Sequence, residues 1–246
     1  MSPSEQCALS FKEAYEMLVK PDDGPVSKHV NRHISIRISL LLIRRGCPIS
    51  PNGMSLLSFS LALVGALSFT MNWPFLGGLL AQLASILDGC DGEIARLTGR
   101  ESKKGAFIDA VLDRIADIAL VSALGIFAYL AGPPPCSFMA FVLREWASWP
   151  LLILVLTFMA LSGSQMVSYC AATIRALSLG RPRRLVGSRD VRLFILMLAG
   201  ITCQFFPRSA LGFLATLALF TWIEVARSSA HVIKFHGHYS IDAQYG

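Results

Sequence analysis

Charge is what this 246-residue chain has least of: Asp, Glu, Lys and Arg make up 15% of it, against about a quarter in ordinary soluble domains. With 54% hydrophobic residues and a mean hydropathy of +0.55, the scarcity excludes a water-soluble domain and leaves a polytopic membrane protein. The length suits one membrane domain and leaves no room for a second catalytic one. The six cysteines (Cys7, Cys47, Cys90, Cys136, Cys170, Cys203) show no CxxC or paired spacing, so neither a disulfide framework nor a zinc site is read from them. No apolar core precedes residue 36, so no signal peptide is expected. Internal repeats and low-complexity segments are also missing.

The net charge of +6 could suggest nucleic acid, but its distribution argues for no nucleic-acid partner. Nineteen of the 22 Lys and Arg fall within residues 1–50, 96–104, 175–192 and 227 onward, separated by pairs of apolar segments, and the alternate turns hold only Arg144 and Arg208. That is the positive-inside pattern. It puts both termini on the cytoplasmic side of a cell membrane, with basic loops facing anionic membrane lipids.

The expected fold is an all-α polytopic membrane protein: six transmembrane helices preceded by an amphipathic juxtamembrane helix. Residues 1–50 form the cytoplasmic N-terminal and juxtamembrane part, 51–230 the membrane domain and 231–246 a cytoplasmic tail. Residues 1–19 read as a short polar helix or frayed end. Pro21, Gly24 and Pro25 make a turn before a helix start at Ser27. Residues 30–45 mix Ile and Leu with Arg37, Arg44 and Arg45, as suits a helix on the membrane surface. The spans are expected at about 51–71, with Pro51 at the start and Asn52 as cap, then from Pro74, from Gly105 to Gly132, 149–174 after a short segment around Trp146, 191–205 and 208–227. Gly77, Gly78, Ala81 and Ala84 allow close helix contact in the second. Only about 15 apolar residues there precede Asp88, short of the roughly 20 of a full span, so the acids that follow lie below the membrane surface. His236 and His238 read as part of a mobile polar tail.

The chain is organised around Asp88–Asp113, DGCDGEIARLTGRESKKGAFIDAVLD. Asp88, Asp91, Gly92, Ala95 and Arg96 share one helical stripe, and Gly105, Asp109 and Asp113 repeat it at i, i+4, i+8. A short hydrophilic turn lets the two helices lie side by side, so their acids can meet. One acid at mid-bilayer costs about 2.5 to 3.5 kcal/mol on insertion scales, and four packed together repel. Arg96 and Arg114 supply two positive charges at most, and Mg²⁺ or Mn²⁺, which prefer carboxylate oxygens, would answer the remainder. Two ions about 3.5 to 4 Å apart are a known arrangement for phosphoryl displacement. The alternatives are helix–helix salt bridges or an ion path. Cys90 is turned off the stripe and reads as filler. Asp117 is expected to pair with Arg114, and Glu224 with Arg227.

DxxDGxxARx8GxxxDxxxD resembles the signature of the CDP-alcohol phosphotransferases (CDP-alcohol phosphatidyltransferases), matched at Asp88, Asp91, Gly92, Ala95, Arg96, Gly105, Asp109 and Asp113. The resemblance implies metal-dependent transfer of a phosphorylated alcohol from a CDP-alcohol donor to an acceptor hydroxyl, releasing CMP. It implies two Mg²⁺ or Mn²⁺ ions held by Asp88, Asp91, Asp109 and Asp113, with Asp113 also the general base. Gly92, Ala95, Arg96 and Gly105 would bind the CDP moiety. Within the family, KPDDGPVSKHVNRHIS and SILDGCDGEIARL are similar to the transferase domain of the di-myo-inositol-phosphate-phosphate synthases, which join CDP-inositol to inositol 1-phosphate. Those domains are commonly fused behind a soluble cytidylyltransferase. This chain starts at Met1 with no soluble domain, so a separate cytidylyltransferase would supply its donor, unless the chain is a trimmed form. A phosphorylated polyol acceptor needs cations, and Arg175, Arg189, Arg192, Lys28 and Arg32 are the candidates. A homodimer is a further expectation. The alternative in the same class is a phospholipid synthase with a CDP-linked lipid donor and inositol phosphate or another polar alcohol as acceptor. From other classes, an intramembrane prenyltransferase also pairs aspartates around Mg²⁺, and a cation transporter would spread its acids along a path.

Overall fold

The computed structural model describes residues 9–19, 23–46, 50–133, 149–179 and 187–242, with side chains as far as 233. Arg144, Trp146, Arg181, Arg183, Arg184, Cys7, Cys47 and Cys136, and the side chains of His236 and His238, lie outside what is described. Among the described residues there is no strand; the chain is all-α. The helices are α1 (Phe11–Leu18), α2 (Arg32–Arg44, entered through a π turn at Ser27–Asn31), α3 (Pro51–Thr70), α4 (Pro74–Thr98), α5 (Lys103–Ala131), α6 (Trp149–Ala176), α7 (Arg189–Phe205) and α8 (Ala210–Asp242).

Three helical stretches are long and apolar enough to cross a membrane: Pro51–Thr70, Trp149–Ala176 and Pro207–Ile233. Of the other expected spans, α4 and α5 carry the acidic motif, and α7 is only 17 residues long. The exterior of the bundle has the character of a lipid-facing surface: Leu56, Leu67, Phe75, Leu154, Phe158 and Phe205 are exposed while Ser58, Gln82 and Asp91 are buried. In water this polarity would be inverted.

Small residues let the site helices close up. α4 packs against α3 and α7, α5 against α3 and α6, and α8 against α6. A Cβ on Gly78 would stand 3.0 Å from Gly200 Cα, so the backbones of α4 and α7 meet through two glycines. Gly77 and Gly65 do the same between α4 and α3. Phe69 and Phe127, both fully buried, meet edge-on at 6.3 Å between ring centres, a contact worth about 0.5–1.5 kcal/mol beyond its buried area.

Local signals set the ends. Pro51 does begin α3, but its cap is Ser50, whose Oγ accepts from Gly53 N, and not Asn52. Ser102 caps α5 through Gly105 N, and Gly99, at φ 64°, ends α4 in the left-handed region. Of the expected short polar helix or frayed end, Phe11–Leu18 forms a helix. Ser10 and Glu13 close a capping box on α1, and Ala14 and Leu18 are fully buried against Ile36, Leu40 and Leu97. Aromatic stacking of Tyr15 on His33, with ring centres 5.0 Å apart, joins α1 to α2. α2 is thereby seated on α4.

Candidate active site

The two stripes predicted from spacing do meet. The carboxylates of Asp88 and Asp91 on α4 and Asp109 on α5 bring ligand oxygens within 4.8 Å of one another. Ser55 of α3 orients Asp91, its Oγ donating to Oδ2 at 2.5 Å. Asp109 Oδ1 is buried with no hydrogen-bond partner among the described residues, a costly state for an acceptor. Three convergent carboxylates, one with an orphaned oxygen, form an all-oxygen donor set that fits a hard divalent cation. This is the floor of a chamber of about 890 Å³, whose lining includes Gly92, Ala95, Gly105 and Asp113.

Asp113 stands slightly apart from the other three. Its Oδ1 takes Arg189 Nη2 at 2.9 Å, while Arg189 Nη1 reaches Asp88 Oδ2 at 2.7 Å and Nε lies 3.5 Å from Asp117 Oδ1. Arg189 therefore joins α4 to α5 from the start of α7. Arg192, one turn on, donates to Asp117 Oδ2 at 2.6 Å and to Gly187 O at 2.6 Å. Residues three apart lie on one helical face, and both arginines reach Asp117.

That geometry corrects two expectations. Asp117 takes its hydrogen bond from Arg192, and Arg114 instead lies 3.9 Å from Asp113. Arg96, expected beside the acids, donates Nε to Gly92 O at 3.0 Å and is outside the chamber's lining; a long side chain on this stripe folds back along its own helix. Glu224 and Arg227 pair as expected, at 3.9 Å. Cys90 is fully buried with Met54 and Ile94.

The glycines divide by role. A Cβ at Gly92 would find nothing nearer than Arg96 Nη2 at 4.0 Å, so this glycine leaves open space in the chamber. A Cβ at Gly105 would meet Ser102 Oγ at 2.9 Å and Asn52 Oδ1 at 3.0 Å, so that one lets α5 start against α3.

Among the basic candidates, Arg175, Arg189, Arg192 and Arg32 line the chamber and Lys28 does not. Arg175 donates Nε back to Ala171 O. Arg32 is held by two acids, with Nε and Nη2 on Asp23 at 3.0 and 3.2 Å and Nη1 on Glu93 at 2.8 Å. Burial opposes its charge, but the bonds and charges of Asp23, then Glu93, outweigh that and hold its pKa above the usual arginine value. Glu93 was not singled out from the sequence, although Arg32, Ser35 and Ser39 at i, i+3, i+7 share one face of α2 and were a readable sign of a polar partner.

A sequence model described as CDP-alcohol phosphatidyltransferase matches residues 48–225. The chain is 35% identical over 240 residues to the "Bifunctional IPC transferase and DIPP synthase" of Thermococcus kodakarensis, covering 93% of this chain and 50% of that protein. It is 44% identical over 184 residues to the protein of the same name from Rubrobacter xylanophilus, covering 73% and 37%. The chain thus spans half or less of the length of these relatives. It is also 28% identical over 153 residues to the archaetidylinositol phosphate synthase of Pyrococcus horikoshii, covering 62% and 70%. Among solved structures, the Mycobacterium tuberculosis phosphatidylinositol phosphate synthase with CDP-DAG bound superposes with a TM-score of 0.62 at 26% identity, over 81% of this chain and 94% of that one. The same enzyme in complex with manganese and citrate gives 0.63 at 25%, over 81% and 88%.

Proposed function

This chain belongs to the CDP-alcohol phosphatidyltransferase family, and from that premise we propose that it transfers a phospho-alcohol from a CDP-alcohol to an acceptor hydroxyl, releasing CMP. The donor is CDP-inositol and the acceptor inositol 1-phosphate, giving di-myo-inositol phosphate phosphate. The observation that carries the reading is the convergence of Asp88, Asp91 and Asp109 within 4.8 Å beside the open space at Gly92.

Asp88, Asp91, Asp109 and Asp113 would hold two Mg²⁺ or Mn²⁺ ions, which would supply positive charge to the diphosphate and to departing CMP. Gly92 and Ala95 leave room for the nucleotide, Gly105 serves it by seating α5 against α3, and Arg96, folded back on Gly92 O, is not assigned a contact. The acceptor oxygen forms a bond to the phosphorus bearing the donor alcohol as the phosphoanhydride bond to CMP breaks, and Asp113 takes the hydroxyl proton. Arg175, Arg189 and Arg192 line the chamber and would serve the acceptor phosphate, Arg189 and Arg192 while still holding Asp88, Asp113 and Asp117. Arg32 stands on the α2 side beside Gly89 and Lys28 lies outside the lining, so neither is assigned to the acceptor. Six helices, α3 to α8, span the cell membrane with the acids at its cytoplasmic face. The protein works as a homodimer, and its donor comes from a cytidylyltransferase.

The solved relative with CDP-DAG favours a second reading, in which the donor is a CDP-linked lipid and inositol phosphate or another polar alcohol the acceptor. Full-length protein in detergent, given Mg²⁺ or Mn²⁺ and either CDP-inositol or CDP-diacylglycerol, with and without inositol 1-phosphate, separates the two by CMP release. Release from the lipid donor alone rejects CDP-inositol. In the same assay Asp113→Asn abolishes turnover while donor binding persists; turnover near that of the unaltered protein removes Asp113 from the base role.

A further inference from the structure

One buried charge next to the acids has no part in the transfer step. Glu93 follows Gly92 on α4 and is fully buried. Its Oε1 accepts from Arg32 Nη1 at 2.8 Å and Ser35 Oγ at 2.6 Å, and its Oε2 from Ser39 Oγ at 2.7 Å. Ser35 and Ser39 are themselves fully buried, so the carboxylate and its partners form a closed polar cluster between α4 and α2. An apolar interface of the same shape would hold two helices together at least as well. What a saturated carboxylate adds is one permitted register and rotation of α2 on α4.

That register decides where the chamber wall stands. Arg32 continues the cluster to Asp23 through two bonds. Asn31 donates to Ser85 Oγ at 2.9 Å and accepts from Gln82 at 2.8 Å, both on α4. At its other end the segment is tied to α7, because Ser27 N donates to Asp190 Oδ2 at 2.6 Å. Asp23, Gly24, Ser27, Asn31 and Arg32 all line the chamber. The wall runs along the glycine side of α4, where a Cβ on Gly89 would touch Arg32 Nη1 and Ser35 Oγ at 3.3 Å. The arginines assigned to the acceptor stand on α6 and α7.

We infer that Glu93 is a positioning residue for the nucleotide donor: by fastening Arg32, Ser35 and Ser39 it fixes residues 23–32 as the wall of the donor half of the chamber. This rests on the donor seat proposed at Gly92 and Ala95. Loosening the wall weakens donor binding without touching the acids that carry the chemistry, so the effect falls on KM for the donor and not on kcat.

The test is Glu93→Gln in the full chain, with CDP-inositol, inositol 1-phosphate and Mn²⁺. The donor KM is expected to rise about tenfold, with kcat and the acceptor KM within about twofold. CDP binding in Mn²⁺, without turnover, weakens in step. Ser39→Ala, which removes one of three bonds and keeps the ion pair, raises the donor KM about threefold and serves if Glu93→Gln does not fold. Arg32→Lys, which keeps the charge but not the fork, falls between them. An unchanged donor KM in these folded variants, an equal rise in the acceptor KM, or a fall in kcat alone overturns the assignment. Unaltered protein that releases no CMP from either CDP-inositol or CDP-diacylglycerol overturns the donor reading, and this inference with it; normal release with indifferent variants overturns this inference only.

Discussion

Removing either partner of the Asp117–Arg192 pair should damage the fold, and the two losses should differ. Both side chains are buried, at 2% and 3% exposure, and meet at 2.6 Å. Breaking a buried pair by deleting one side costs about 3–5 kcal/mol, because the survivor is left charged and unpaired. Arg192→Met leaves Asp117 with Arg189 Nε at 3.5 Å, a residual partner that puts this variant at about 3 kcal/mol. Asp117→Leu leaves Arg192 with the Gly187 carbonyl as its remaining hydrogen-bond partner among the described residues and takes one of three acids from Arg189. Its loss belongs at about 5 kcal/mol. At about 2–4 °C per kcal/mol for a domain of this size, the midpoints fall by about 6–12 °C and 10–20 °C. The double variant Asp117→Leu/Arg192→Met exchanges the pair for apolar volume and should recover most of either loss. Thermal unfolding of the three variants in one detergent, followed by circular dichroism, measures the series. Additive losses in the double variant would refute the reasoning, since they would mean that neither charge depends on the other.

Two further outcomes follow from the acid cluster. Unit charges about 4.8 Å apart repel by about 3.5 kcal/mol at an effective dielectric of 20, so Asp109→Asn should unfold at a higher temperature than the unaltered protein in a chelator. With saturating Mn²⁺ the order should reverse, as the variant loses a ligand and the stabilisation that binding confers; the same order in both conditions refutes metal binding at Asp109. Gly92→Val has open space for its side chain and a helix-propensity change below about 1 kcal/mol. It should therefore fold normally and lose CDP binding by at least about tenfold in equilibrium titration, while normal affinity would place the nucleotide elsewhere.

The acid stripes were legible because helical periodicity alone puts i, i+3 and i+4 on one face, and a short hydrophilic turn leaves two such faces little choice but to meet. The small-residue contacts of α4 were legible in the same way. Periodicity could not find Glu93, whose partners lie 54 to 61 residues away, because the register of α2 on α4 is a tertiary fact. Nor could spacing say that Asp117 would prefer an arginine 75 residues on to Arg114 in the next turn of its own helix. An arginine three residues away on an exposed stripe reaches its neighbour readily. On a buried face the competition is settled by which guanidinium arrives along the axis between helices.

Spacing also misplaced the counter-charge. Arg96 and Arg114 were the cations nearest in sequence, yet the groups facing Asp88, Asp113 and Asp117 are Arg189 and Arg192 from the start of α7, with Arg114 at the edge. Five carboxylates, Asp88, Asp91, Asp109, Asp113 and Asp117, thus share three guanidinium groups, and the formal excess of two negative charges falls on the side where Asp109 Oδ1 has no partner. Protonation of the acids could remove that excess, but it would also remove the negative oxygens that three convergent side chains are arranged to present. A divalent cation removes the excess and uses those oxygens at once. The arginines add charged ties between α4, α5 and α7, and the charge they leave over is what suits the site to an ion and a diphosphate.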